Sequence, residues 1–298
     1  MTTKLKVFNK TLIKLGSETI SAITDDSKSV RLINEIYDDI VKEELQKHNW
    51  IFAKKKATIY NDALLTMINS FKDCVTEDAN IQKVGTNTFG IIAKTAGEAG
   101  NDIILRSTNR NAVLSGPTLT GGASSGGSTT AATGEITFVG NLNKGDVITI
   151  GTTDLVAGTD FSVGTEIEGF FKRKFDLPTD LLLLLEIDGF NALSTFPYQY
   201  GAYKQYDIIG RNIYCNKDIL SIEYTASVEE DKFDSNFVNA VCCRICYELA
   251  EVLTQDDQKK QTWMNEYLLA IRDAKRVNAI QLPNASLGSG VLERVRVW

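Results

Sequence analysis

Few side chains in this sequence have the type and spacing to do chemistry, and each has a plainer use. The sole histidine, His48, would need a nucleophile and a supporting acid, and no serine or cysteine with an acid stands beside it. At the last turn of a helical pattern a cationic ring instead suits the negative end of the helix dipole. Cys243-x-x-Cys246 has the spacing of a redox or zinc half-site. A thioredoxin-type pair follows a strand and opens a helix, whereas this one falls inside a helical pattern where Cys242 and Cys246 share an apolar stripe. No second pair completes a zinc set, so buried small side chains are the expected role. The glycine-rich stretches lack the GxxxxGK[ST] order of a phosphate loop. Glu229-Glu230-Asp231 offers carboxylates to a cation or, more simply, a solvated helix entrance. The sequence is read as having no catalytic residue, no metal ligand and no cofactor, and not as an enzyme.

Charge and exposed apolar residues mark the candidate contact sites. Lys54, Lys55 and Lys56 form one basic run, and Lys172, Arg173 and Lys174 another. Either run could touch DNA or an acidic partner, or simply alternate along a strand with solvent. The chain ends in Val291, Leu292, Arg294, Val295, Arg296, Val297 and Trp298, around Glu293. Exposed β-branched residues beside a final tryptophan are a liability unless docked. Strand addition to a partner is the expected use, with docking on the same domain and disorder as alternatives.

The elements that position these residues are legible from periodicity. Leu5, Phe8, Leu12 and Leu15 recur at helical spacing, and Gly16 tolerates the left-handed stop. Asp25, Asp26 and Ser27 offer oxygens to the first N–H groups of a second helix. Its stripe is Val30, Ile33, Ile36, Tyr37, Ile40, Val41 and Leu45, over about 22 residues or roughly 33 Å. Asn49 ends it, and Trp50 and Phe52 anchor the departing chain. Near the other end, Phe237, Val238, Val241, Cys242, Ile245, Leu249 and Leu253 form the face of a third helix. Trp263, Tyr267, Ile271 and Ala274 stripe a fourth, entered through Thr254-x-x-Asp257.

Glycine divides the middle from the ends: 15 of the 22 glycines lie between Gly85 and Gly164. After a short helix bearing Leu64, Met67, Ile68 and Phe71, strand-like runs are expected at 88–94, 102–107, 135–139, 146–150 and 160–163. Gly121 to Gly134 reads as a flexible linker. The fold class predicted is α+β: a discontinuous helical-bundle scaffold with a small antiparallel sheet, interrupted by an inserted β-rich domain. Residues 1–58 and 169–278 make the scaffold, 59–168 the insert, and 279–298 an extended tail. An insert needs its ends close together, so the two basic runs flanking it are expected to be neighbours.

A net charge of −6 argues against a global basic field for nucleic acid. Five cysteines, three of them in one helical segment, suit a reducing compartment rather than a disulfide framework. The start, MTTKLKVFNK, lacks the apolar core of a signal peptide, and Leu181 to Leu185 is too short to span a bilayer. A soluble protein made inside a cell, with no membrane insertion, is expected.

One succession of residues is more specific than any of these. Leu15-Gly16, Ile20-Ser21-Ala22-Ile23, Asp25-Asp26-Ser27, Asn34 and Tyr37 lead into His48-Asn49-Trp50-Ile51-Phe52-Ala53-Lys54-Lys55-Lys56. Together with Phe175-Asp176-Leu177-Pro178-Thr179-Asp180 and the final two helices, this resembles the tail tubular protein A, or head-to-tail adaptor, family of short-tailed bacteriophages. That family usually has proline before the tryptophan, where this chain has Asn49. The middle of the chain is outside the resemblance, although Ala93–Asp102, Leu119–Gly122 and Gly134–Gly140 look like a β-module of phage structural proteins.

The resemblance implies a homo-oligomeric ring of about twelve copies under the portal protein, joined to the tail nozzle. Genomic DNA would pass through its lumen without sequence-specific binding, in a virion assembled in the host cytoplasm. The terminal tail would reach a neighbouring ring, most readily the portal. The rival readings are a receptor- or glycan-binding tail component using the β-rich insert, and a tail-associated wall hydrolase with paired carboxylates.

Overall fold

The computed structural model describes residues 2–125, 128–192, 206–254 and 257–281. The chain opens with α1 (Lys4–Leu15) and α2 (Lys28–Gln46), then β1 (Lys54–Tyr60) and α3 (Asp62–Phe71). The strands β2 (Ala79–Lys83), β3 (Thr88–Ala96), β4 (Leu105–Ser107), β5 (Ala112–Leu114) and β6 (Ala123–Ser125) follow. Next come β7 (Ser128–Phe138), β8 (Val147–Ile150), β9 (Thr153–Val156), β10 (Arg173–Asp176), β11 (Leu181–Ile187) and β12 (Phe190–Asn191). The last elements are β13 (Tyr206–Ile209), β14 (Asn212–Cys215), β15 (Ile219–Ala226), α4 (Ser235–Thr254) and α5 (Asp257–Gln281).

This inventory overturns the helical-bundle expectation. The chain is a mixed α+β fold, 37% helix and 31% strand, with its strands in several sheets. The sheet orders are β1-β15-β11-β12, β10-β14-β13, β2-β3-β7-β5 with β6 on β7, and β4-β8-β9. The amphipathic stripes at the two ends have the helical period of a bundle, while strands of three or four residues are too short to show a period. The supposed linker is a second correction. Residues 123–125 and 128–138 form the hairpin β6–β7, and β7 pairs with both β3 and β5. Threonines at 129, 130, 133 and 137 give this polar segment the β-branched character that favours a strand. The strand expected at 160–163 is instead a single bridge, Ala157 to Phe161, and β9 takes the partner place beside β8.

Two compact units form. One comprises Met1–Lys56, Thr179–Leu193 and Glu223–Trp298; the other comprises Ala57–Pro178 and Ser194–Ile222. Residues 169–178 and 194–222 thus group with the second unit, and β1 and β15 each begin in one unit and end in the other.

In the first unit α4 packs against α1, α2 and α5. Being flanked on several sides, it is buried well beyond one stripe: Phe237, Val241, Cys242, Cys243, Ile245, Cys246 and Ala250 are all hidden. Burial pushes the Cys246 thiol far up, so it behaves as a small apolar filler. Local signals set the helix ends. Thr3 and Ser27 accept the capping N–H bonds of α1 and α2, and Gly16 closes α1 at φ 76°.

The exit from α2 is held by polar ties to α5. Trp50, 1% exposed, stacks on Phe52 and meets Phe237 edge to face, and its Nε1 donates to the Glu44 carbonyl at 2.8 Å. The Glu44 carboxylate is fully buried; its Oε1 accepts from Tyr267 Oη at 2.9 Å and from Lys47 Nζ at 2.7 Å. Asn278 Oδ1 accepts from the Ile51 amide, and its Nδ2 donates to the Asn49 carbonyl, each at 2.9 Å. The same Nδ2 faces His48 Nε2 at 3.2 Å, and burial followed by the Lys275 charge holds His48 below its usual pKa. The histidine is thus the end of a structural tie, where burial and Lys275 disfavour the charged ring expected at the helix end.

The second unit has a separate core, in which Phe71 meets Phe89, Phe138 and Phe161 edge to face. Gly134 belongs to this core because a Cβ there would stand 2.7 Å from Leu119 and 2.9 Å from Leu105. No described helix is long and apolar enough to cross a membrane.

Asn278→Ala strips partners from the Ile51 amide and the Asn49 carbonyl together. It is expected to lower stability by on the order of 2 kcal/mol, read as a fall in the urea midpoint at unchanged slope.

Candidate functional site

The first basic run lies on β1, where alternation sends its lysines to opposite faces. Lys54 and Lys56 both ion-pair with Glu223, the latter at 3.2 Å, while Lys55 Nζ lies 2.6 Å from Asp180 Oδ2. Asp180 Oδ1 also accepts from Tyr224 Oη at 3.1 Å. Glu223 and Tyr224 are adjacent on β15, so they too face opposite ways and each meets the matching side of β1. Burial pushes both carboxyls up, but the lysine bonds outweigh it and hold Asp180 and Glu223 below their ordinary values. Burial and then the bond to Asp180 push Tyr224 up to about 12.

The second run belongs to the other unit. Arg173 is the centre of a polar hub: Nη1 lies 2.7 Å from Glu166 Oε1, and Nε lies 2.9 Å from Asp218 Oδ1. Asp218 Oδ2 accepts from the Asn141 amide at 3.3 Å, and the Asp218 carbonyl accepts from Asn61 Nδ2 at 2.9 Å. Asn61 caps α3 through the Leu64 amide at 2.8 Å. Lys174 Nζ sits 3.0 Å from both Asp62 and Asp176, whose hydrogen bonds, Asp176 first, push it up to about 12. Lys172 Nζ is 3.7 Å from Glu166, and its amide donates to Asn216 Oδ1.

Both basic runs are therefore matched by carboxylates within their own units. They can fix strands in place, and the positive field either presents outward is small. The carboxylates that match the first run, Asp180 and Glu223, lie far along the chain from it; the Lys55–Asp180 bond spans 125 residues. No local signal in the sequence pointed to them. The tail residues Val291, Leu292, Arg294, Val295, Arg296, Val297 and Trp298 lie outside the described residues. Among the described residues no group of three or more His, Cys, Asp or Glu side chains is placed to hold a metal ion.

A further feature escaped the sequence reading. On the outer face of β2, β3 and β7 an open groove is lined by Gln82, Val84, Ile92, Thr133 and Glu135, with Ser115 beside them. Gly90 keeps it open, since a Cβ there would meet Val84 at 2.9 Å. Phe170, 70% exposed, projects from the turn before β10.

The stability contributed by Asp180 and Glu223 is fully present above about pH 4.5, the higher of their ordinary values, and is lost as the pH falls through their lowered folded values. Asp180→Asn with Glu223→Gln should flatten that acid limb in a series of melting curves from about pH 6 to about pH 3. Compared with protein-family models and with curated proteins, the chain matches none of them.

Proposed function

We propose that this chain is a structural virion protein that builds the head-to-tail adaptor ring of a short-tailed bacteriophage. Copies, about twelve by family resemblance, close around an axis between portal protein and tail nozzle. The genome passes through the lumen on ejection. The observation that carries this reading is one shared core. Phe8, Tyr37 and Trp50 from the start of the chain pack with Phe237, Val241 and Ile271 from its end. These are the two stretches in which the adaptor resemblance lies. The elements of that resemblance have structural work: Gly16 ends α1, Ser27 caps α2, and Trp50 anchors the exit.

The acidity of the chain suits the role, because a negative lumen lets phosphates slide without sticking. Carboxylate pairing of both basic runs works the same way, leaving little to grip DNA. The terminal segment, Val291 to Trp298, reaches a neighbouring ring by strand addition. The virion, assembled in the host cytoplasm, is where the protein acts.

A glycan-binding tail component is the second reading, favoured by the groove over Gly90 and by Phe170. Against it, Phe71, Phe89, Phe138 and Phe161 are at most 3% exposed and offer no stacking platform. Binding on a glycan array, lost on Gly90→Val, would favour that reading over the adaptor.

Electron micrographs of the chain mixed with its portal protein should show a ring coaxial with the portal; a monomer beside a bare portal would refute the adaptor. Deleting residues 291–298 should weaken portal binding by tenfold or more, on the order of 1.4 kcal/mol, and unchanged affinity in a pull-down titration would exclude strand addition.

A further inference from the structure

Two helix faces of the first unit carry charges that nothing in the described chain answers. On α5 the side opposite the buried stripe of Tyr267, Ile271, Ala274 and Asn278 bears Leu269, Arg272, Arg276 and Ile280, at spacings of three and four. Leu269 is 47% exposed, Ile280 73%, and the flanking Leu268 50%. Neither Arg272 nor Arg276 has an ion-pair or hydrogen-bond partner among the described residues. An exposed helix with three large aliphatic side chains around two free guanidiniums is unusual for a surface with no occupant.

The outward side of α2 is its counterpart in sign. Asp38 is engaged by Lys4 at 3.1 Å, Arg31 by Asp26 at 3.4 Å, and Glu43 by Lys47 at 3.8 Å. Glu35 and Asp39, one turn apart and exposed, have no such partner, nor has Lys42 beside them. Two carboxylates spaced i, i+4 thus match two guanidiniums spaced i, i+4. Each face lies opposite its own helix's buried side, and those buried sides meet directly where Tyr267 Oη donates to Glu44, so the two faces are separate surfaces of one unit.

We infer that the α5 face of one copy docks on the α2 face of the next. The occupant is a second copy of this chain, named by charge complementarity between its two surfaces. A contact that joins two different patches is heterologous and propagates head to tail, closing when the rotation per copy divides a full turn. The inference rests on the adaptor reading and specifies which helices meet. Leu268, Leu269 and Ile280 supply the apolar contact, and the charges fix the register.

Charge reversal tests it on the full chain. Arg272→Glu with Arg276→Glu, and separately Glu35→Arg with Asp39→Arg, should each weaken self-association by on the order of tenfold or more. Circular dichroism of each variant should match the parent. The decisive experiment mixes the two variants in equal amounts: head-to-tail docking then restores assembly, with the variants alternating, by sedimentation and electron microscopy. Assembly unchanged by either reversal, or a mixture that stays dispersed, overturns the α5-on-α2 contact while leaving a ring-forming parent intact. A parent chain that never assembles, alone or with portal protein, overturns the adaptor reading and this contact with it. Should the double reversals misfold, Arg276→Gln and Asp39→Asn carry the same comparison, each expected to weaken assembly and no change in either counting against it.

Discussion

The buried carboxylate of Glu44 has no partner close by in sequence except Lys47; its other hydrogen bond comes from Tyr267 Oη, 223 residues on. The backbone just beyond it depends on Asn278 in the same way. A buried acceptor left unmade costs about 1–3 kcal/mol, more when charged. The start of the chain is therefore not a self-sufficient helical hairpin. Glu44 Oε1, the Ile51 amide and the Asn49 carbonyl gain partners from α5, and α5 in turn buries Tyr267, Ala270, Ile271 and Ala274 only when the rest of the unit is there. This mutual requirement makes one unit out of segments that the rest of the sequence separates.

The second unit obeys a different logic. Its core is an aromatic cluster under short antiparallel strands, and its polar interior is organised by Asn61, Asn141, Asp218 and Arg173. The hydrogen bonds among these four residues run between segments tens of residues apart. The two basic runs follow one rule in both units: their cations are matched by carboxylates.

What could be read from the sequence was what is local. The stop at Gly16, the cap at Ser27, the core side of α2 and the anchoring role of Trp50 each depend on residues within a turn or two. The faces of α4 and α5 were legible for the same reason. What could not be read was pairing across distance. A stretch of Gly, Ser, Thr and Ala gave no apolar alternation, yet β7 is a central strand because β3 and β5 flank it. The partners of the first basic run could not be read because Asp180 and Glu223 lie far along the chain from it. Burial of Cys243, off the apolar stripe, needed knowledge that α4 is surrounded.

Native-state hydrogen exchange tests most directly whether the ends of the chain fold as one unit. If they do, the slowest amides of α2 and α5 open with a common free energy, and Tyr267→Phe lowers protection in both by the same amount. Separate opening energies for the two helices, or a loss confined to α5, would contradict the account.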